Sequence, residues 1–164
     1  MGHRAVVVTV SDGVSAGTRE DLSGQALESM LAERGFDVTR DLVPDDAEEI
    51  ANAIRNGCSQ AELVVTTGGT GFGLRDVTPE ATAGVLEREA PGLVHLMISK
   101  GIESTPMAAL TRARAGTVGS TLVVNLPGSP RGATESLEAI IDLIPHALQL
   151  LGGENRHHPD PEPH

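Results

Sequence analysis

The residues that indicate chemistry lie in one glycine-rich stretch, TTGGTGFGLRDVTPE, at positions 66–80. An apolar run ends there, and four glycines follow within six residues. Glycines in series let backbone N–H groups approach a phosphate closely, and the amino terminus of the next helix reinforces such an anion site. Asp76 adds a carboxylate at the far edge of the stretch. The pattern favours a phosphate-binding loop; the alternative is a tight turn that needs only positive φ angles.

The stretch differs from two common phosphate-binding motifs. No Gly-Lys-Ser/Thr follows the glycines, so it is not a Walker loop. Leu74 stands where the dinucleotide fingerprint has its third glycine. A nicotinamide-dependent dehydrogenase is therefore disfavoured, and no convincing proton donor accompanies the loop.

Carboxylates and arginines surround these glycines. Asp76 and Asp45, the latter in VPDD, each have a plain explanation as partners of a helix amino terminus. If they converge over one phosphate cradle, they instead make a Mg²⁺ site, since Mg²⁺ takes one or two carboxylates together with substrate phosphates. In an acidic chain the arginines near the loops are the natural phosphate contacts, and the alternative for each single arginine is an ordinary surface charge. They are Arg75, Arg112, Arg114 and Arg131.

Strand and helix patterns alternate along the chain. Apolar, β-branched runs predict strands at Ala5–Val10, Phe36–Val43, Glu62–Thr67 and Thr121–Leu126. Helical spacing predicts helices from Leu22 to Gly35, from Pro44 to Gly57, from a Thr78 cap to about Glu89, from Pro91 onward, and from about Gly132 to Leu151. This alternation predicts an α/β fold, a three-layer sandwich with a mostly parallel sheet flanked by helices. We expect one domain over residues 4–151 and a disordered, Pro-rich tail over residues 152–164.

Three loops rich in Gly, Ser or Thr follow predicted strands, at residues 11–21, 66–76 and 125–132. In parallel sheets, ligands bind outside the carboxyl ends of the strands. We therefore expect these loops to converge on one site.

Composition narrows the partners. The net charge is −11 and the pI is near 4.8, which argues against nucleic acid. Two Phe and no Trp or Tyr leave few rings on which bases could stack. The single cysteine, Cys58, excludes an internal disulfide and a cysteine-based zinc cluster. No signal-peptide pattern and no stretch of roughly 20 apolar residues is present, so we expect a cytoplasmic protein without a membrane partner.

Four stretches together resemble the MogA/MoaB family of molybdenum-cofactor biosynthesis proteins, and also the G domain of gephyrin. They are VSDGVSAGTREDLSG (10–24), VPDD (43–46), TTGGTGFGLRDVTPE (66–80) and LPGSP (126–130). The resemblance extends over nearly the whole chain, from about residue 4 to residue 151. TGGTG and RDVTPE at this spacing are highly specific to the family.

The resemblance implies molybdopterin adenylylation: the terminal phosphate of molybdopterin attacks the α-phosphorus of ATP, and pyrophosphate leaves, with Mg²⁺ present. It implies a catalytic and metal-binding role for Asp45 and Asp76. It implies that the nucleotide is bound by Ser11, Asp12, Thr67, Gly68, Gly69, Thr70 and Gly71. It implies that the substrate is bound by Thr78, Glu80, Pro127, Gly128 and Ser129.

The family also suggests an assembly and an alternative. Its members usually form trimers, and the apolar segment 93–110 predicts the trimer contact, while other proteins of the same pathway are expected to dock.

One branch of the family, close in fold, has lost the DVTPE aspartate and with it adenylylation. This chain retains both aspartates, which favours the active branch. The alternative is a non-catalytic protein that binds the pterin or regulates the pathway.

Overall fold

Six strands form one sheet in the computed structural model, which describes residues 2–153. They are β1 (Arg4–Val10), β2 (Asp37–Val43), β3 (Leu63–Thr67), β4 (Arg88–Glu89), β5 (Ala115–Val118) and β6 (Thr121–Leu126). Their order across the sheet is β2-β1-β3-β6-β5-β4. The strands β2, β1, β3 and β6 are parallel to one another. β5 runs antiparallel to β6, and β4 runs antiparallel to β5. The predicted mostly parallel sheet is confirmed.

Within residues 2–153, seven helices and one 3₁₀ turn accompany the strands. They are α1 (Asp12–Ser15), α2 (Leu22–Glu33), α3 (Ala47–Gln60), α4 (Thr78–Ala83), α5 (Pro91–Ser104), the 3₁₀ turn Pro106–Leu110, α6 (Pro130–Ile140) and α7 (Ile144–Leu151).

Helices cover both faces of the sheet. Successive residues of a strand point to opposite faces, so Val7 and Val65 pack beneath α2, α5, α6 and α7. Val8 and Val64 pack on the other face, against α3 and the α4 region. All four valines are fully buried, which explains why their strands read as continuous apolar runs. The chain is a three-layer α/β/α sandwich, as the sequence predicts.

Two predicted helix ends were wrong. Gly57 does not end α3, which continues to Gln60. Instead, a Cβ at Gly57 would lie 2.8 Å from a Val64 methyl, so the glycine allows close packing of helix on strand. The predicted long final helix is broken into α6 and α7, because Pro145 in the first turn of α7 has no N–H to continue the preceding helix.

The segment after Asp76 was also predicted imperfectly. The helix there ends at Ala83 rather than near Glu89, because residues 88–89 form β4 and pair with β5. β5 itself was missed, although Gly119-Ser120 between two β-branched runs is a hairpin signal, and Gly119 has the positive φ of such a turn.

The predicted tail, residues 152–164, lies outside the described residues except for its first two glycines. Within residues 2–153, none of the helices combines the length and the apolar character that a membrane crossing requires.

Candidate functional site

A cleft of about 440 Å³ opens at the carboxyl edge of the sheet. It lies between the loops that follow β1 and β3, where the strand order reverses direction. In open α/β sheets this switch point is the ordinary place for a ligand, because the loops on its two sides diverge. The cleft brings together eight of the residues to which the resemblance assigns a role: Ser11, Asp45, Thr67, Gly68, Gly69, Asp76, Gly128 and Ser129.

The turn at Gly68 and Gly69 forms the floor of the cleft. Both residues have positive φ, 107° and 69°, a conformation that favours glycine. A Cβ on Gly68 would lie 2.2 Å from the carbonyl oxygen of Val10, on the neighbouring strand. A Cβ on Gly69 would lie 2.4 Å from the hydroxyl of Thr78. Both positions therefore require glycine for two reasons: φ is positive, and neighbouring atoms lie where a Cβ would be.

The N–H groups of this loop are only partly free. Gly68 donates its N–H to the carbonyl of Leu126, at 3.1 Å. The N–H groups of Gly69, Thr70 and Gly71 have no protein acceptor in the described part of the chain. An anion cradle on this loop would therefore use Gly69–Gly71, and not Gly68.

Asp12 and Asp45 join the loops after β1 and β2. The Asp12 N–H donates to the Asp45 carboxylate, and the Asp45 N–H donates to the Asp12 carboxylate, both at 3.0 Å. Arg75 binds Asp12 through Nε at 2.5 Å, and this hydrogen bond lowers the pKa of the Asp12 carboxyl. Burial raises the pKa of the Asp45 carboxyl, and the charges of Asp12 and Asp76 raise it further. The N–H of Asp12 and the charge of Arg75 act in the opposite direction. The nearby charges of Asp12 and Asp76 favour a cation beside Asp45.

Asp76 lines the same cleft as Asp45. Its Oδ2 accepts the Gly73 N–H at 2.9 Å. A Cβ on Gly71 or Gly73 would lie 3.0 or 2.9 Å from that same oxygen, so both glycines make room for the carboxylate. Asp45 and Asp76, which are 31 positions apart in the sequence, contribute side chains to one cavity.

Thr78 and Glu80 do not line the cleft. Thr78 is fully buried, and its hydroxyl donates to the Gly68 carbonyl at 2.9 Å. It supports the glycine turn from behind and does not cap α4, whose capping position is Val77. Glu80 forms an ion pair with Arg112, whose hydrogen bond lowers the pKa of the Glu80 carboxyl.

The loop after β6 closes the cleft on its other side. Thr67 ties this loop to β3 by donating its hydroxyl to the Pro127 carbonyl at 2.7 Å. Ser129 caps α6 by accepting the Gly132 N–H at 3.0 Å. A second, largely apolar cavity of about 400 Å³ begins here, and Ser129 lines both cavities. The other residues that line this second cavity include Thr70, Gly71 and Pro127.

The arginines proposed as phosphate contacts are all paired. Each forms an ion pair with a carboxylate, in the pairs Arg75–Asp12, Arg112–Glu80, Arg114–Glu89 and Arg131–Glu135. None of the four lines the cleft; Arg19 is the basic residue that does. Sequence reasoning missed Arg19, although it is the single basic residue in the loop after β1.

Within residues 2–153, no group of three or more His, Cys, Asp or Glu side chains forms a site that could hold a metal ion. The lone thiol is also unsuited to chemistry, because burial raises the pKa of Cys58 to about 11.

The fold and the cleft define the class: a doubly wound α/β protein whose ligand cleft lies at the carboxyl edge of its sheet. The model of the family described as "probable molybdopterin binding domain" matches residues 6–146. This chain belongs to that family, and the resemblance to MogA/MoaB proteins is confirmed.

Relatives extend over most of the chain. It is 40% identical over 152 residues to a molybdopterin adenylyltransferase from Helicobacter pylori, covering 90% of this chain and 86% of that protein. The structure of the molybdopterin biosynthesis enzyme MoaB from Thermus thermophilus superposes with a TM-score of 0.86 at 47% identity, covering 92% of this chain and 97% of that one. The molybdopterin biosynthesis Mog protein from Mycobacterium ulcerans superposes with a TM-score of 0.87 at 33% identity, covering 92% and 99%.

Proposed function

We propose that this chain is a molybdopterin adenylyltransferase of molybdenum-cofactor biosynthesis. In the reaction, an oxygen of the terminal phosphate of molybdopterin bonds to the α-phosphorus of ATP, and the bond from that phosphorus to pyrophosphate breaks. The observation that carries the proposal is the convergence of Asp45, Asp76 and the Gly68–Gly69 turn in one cleft. The 40% identity to a protein named for this activity supports it.

The β3 loop is proposed to bind the nucleotide. The N–H groups of Gly69, Thr70 and Gly71 have no protein acceptor within residues 2–153 and are available to phosphate oxygens, and Ser11 lines the same cleft as Gly69. Arg19 supplies a positive side chain in a chain of net charge −11. Asp12 acts indirectly, since its two hydrogen bonds with Asp45 hold the β2 loop in place.

The donor set fits a magnesium ion that substrate phosphates complete. Asp45 and Asp76 both line the cleft, and the charge of Asp76 raises the pKa of the Asp45 carboxyl. Mg²⁺ ordinarily keeps one or two protein carboxylates and takes its other ligands from phosphates and water. Asp45 and Asp76 would hold Mg²⁺, which would neutralise charge on the transferred phosphoryl group.

The loop after β6 is proposed to bind the pterin substrate, through Pro127, Gly128 and Ser129. Gly128 packs directly on the glycine turn, where a Cβ would lie 3.1 Å from the Cα of Gly68. This contact supports a pterin site next to the proposed phosphate site. Thr78 and Glu80 support the glycine-rich loop after β3 from outside the cleft. Their substrate-binding role remains a prediction.

A transfer assay tests the function. The purified chain, ATP, molybdopterin and Mg²⁺ should yield adenylyl-molybdopterin and pyrophosphate in equal amounts. Leaving out any one component, or chelating the metal, should abolish pyrophosphate release. Tight binding of molybdopterin with no product and no affinity for Mg²⁺-ATP would instead identify a pterin carrier or regulator.

We also propose that the protein is cytoplasmic and assembles as a trimer that other pathway proteins contact. Segment 93–110 presents large apolar side chains to solvent: Leu96, Ile102, Met107 and Leu110 are 41–64% exposed. An exposed apolar surface of this kind marks a protein contact. Sedimentation should therefore report three times the chain mass of 17.0 kDa.

Ile102→Glu should shift that assembly toward monomer, because association would bury the new charge. Leu150→Glu is the matched control, since Leu150 is 51% exposed on α7, outside the segment. A wild-type monomer at micromolar concentration, or equal behaviour of the two variants, would contradict the assignment.

A further inference from the structure

Arg112 makes an unusual set of contacts with the loop that carries Asp76. It lies between the 3₁₀ turn and β5, and its side chain is only 30% exposed. Nε donates to the Gly71 carbonyl and Nη2 to the Asp76 carbonyl, both at 2.7 Å. Nη1 pairs with Glu80, in the first turn of α4. The backbone N–H of Arg112 donates to the Thr70 carbonyl at 2.8 Å.

These bonds join both ends of the loop to one rigid group. Gly71 begins the loop and Asp76 ends it. The planar guanidinium therefore fixes the positions of the Gly71 and Asp76 carbonyls relative to each other. The bonds between Gly73 and Asp76 only close a turn within the loop. The Arg75 side chain ties the loop to Asp12 and to the Asp45 carbonyl, whereas Arg112 binds the backbone carbonyls at its two ends. All three guanidinium nitrogens have a protein acceptor, so this arginine is engaged with the loop and not directed at a ligand phosphate.

We propose that Arg112 is a positioning residue, which holds the loop over residues 71–76 so that the Asp76 carboxylate faces the cleft. The inference rests on the proposed function, because Asp76 is the group whose placement matters for transfer. Residues that orient a metal-binding carboxylate typically contribute 10–100-fold to metal affinity or activity. A lysine cannot replace this arginine, since one ammonium cannot reach three acceptors arranged around a planar fork.

Hydrogen exchange tests the anchoring without reference to activity. In Arg112→Lys and Arg112→Gln, the two hydrogen-bonded amides of the loop, those of Gly73 and Asp76, should exchange at least tenfold faster than in the wild type. The amides of β3 should be unchanged. Arg34→Gln is the matched control: it removes an exposed pair with Asp142 at the opposite edge of the sheet. Unchanged exchange of the loop in both Arg112 variants would overturn the inference. If Arg112→Gln does not fold, Arg112→Lys alone decides this measurement.

A double-mutant cycle tests whether Arg112 acts through Asp76. Arg112→Lys should lower kcat for AMP transfer tenfold or more with little change in KM for molybdopterin. In an Asp76→Asn background the same change should cost less than about threefold, because both substitutions remove the effect of one carboxylate. Independent, multiplicative losses would overturn the inference. A wild-type chain that transfers no AMP would contradict the proposed function alone, and the exchange measurement would still decide the role of Arg112.

Discussion

Replacing Asp76 by asparagine is expected to lower AMP transfer by about a hundredfold or more while the fold remains intact. Removing one electrostatic group that acts on the transition state has an effect of this size. The loss should fall on turnover, because the charge on the transferring phosphoryl group is greatest in the transition state. Asparagine retains an oxygen that can accept the Gly73 N–H, so the turn should persist. We expect a stability loss of about 1 kcal/mol or less.

The measurements are steady-state transfer kinetics, molybdopterin binding and thermal unfolding on the same preparation. Pterin binding should change little, since its pocket is proposed on the side of Pro127–Ser129. Asp142→Asn is the control, because Asp142 is an exposed carboxylate paired with Arg34. Near-normal transfer by a well-folded Asp76→Asn protein would remove this aspartate from the mechanism. The glycine turn could still bind the nucleotide.

Gly68→Ala is expected to destabilise the protein by about 3 kcal/mol or more, a large share of a typical 5–15 kcal/mol. Alanine at a φ of 107° is strained, which costs on the order of 1–3 kcal/mol. The new methyl would also lie 2.2 Å from the Val10 carbonyl, a backbone atom at the end of β1 that cannot rotate away. The turn must shift, so affinity for Mg²⁺-ATP should fall at least tenfold in the molecules that stay folded.

Gly92→Ala is the control for this substitution, because a Cβ there meets nothing within 4 Å and φ is ordinary. Its free energy of unfolding should stay within about 0.5 kcal/mol of the wild type. Urea unfolding of both variants and nucleotide titration measure the difference. Equal stability of the two would show that the turn relaxes easily, and that close packing of glycine against β1 is not required.

Local signals predicted most of the elements that carry the site. The runs AVVVTV and TLVVNL are buried strands in the structure, and Ser11, Gly68 and Pro127 follow strands whose carboxyl ends share one edge. β-branched propensity and glycine punctuation are properties of a few neighbouring residues, so they are visible in the chain itself. The short β4 was missed because a two-residue strand gives a weak local signal. The break before α7 was missed although Pro145 is a strong local signal against a continuous helix.

At Gly57 and Thr78 the local sequence pattern predicts the wrong structural role. Gly57 has the position of a helix end in the sequence, but it lies inside α3 because Val64 packs against it. Thr78 has the sequence of a helix cap, but its hydroxyl bonds Gly68, ten residues earlier. In both cases the deciding partner is on another element. The roles of these two residues therefore could not be predicted from their neighbours along the chain.

The order of residues along the chain is enough to predict a layered α/β fold, a glycine-rich loop after the third strand and two aspartates in loops that follow strands. These follow from composition and short-range spacing. The partners of the charged groups, in contrast, depend on the folded chain: Arg112 binds Gly71, Asp76 and Glu80, which lie 32–41 positions away. An ion pair or hydrogen bond requires distances of a few ångströms, and the order of strands in the sheet sets these distances.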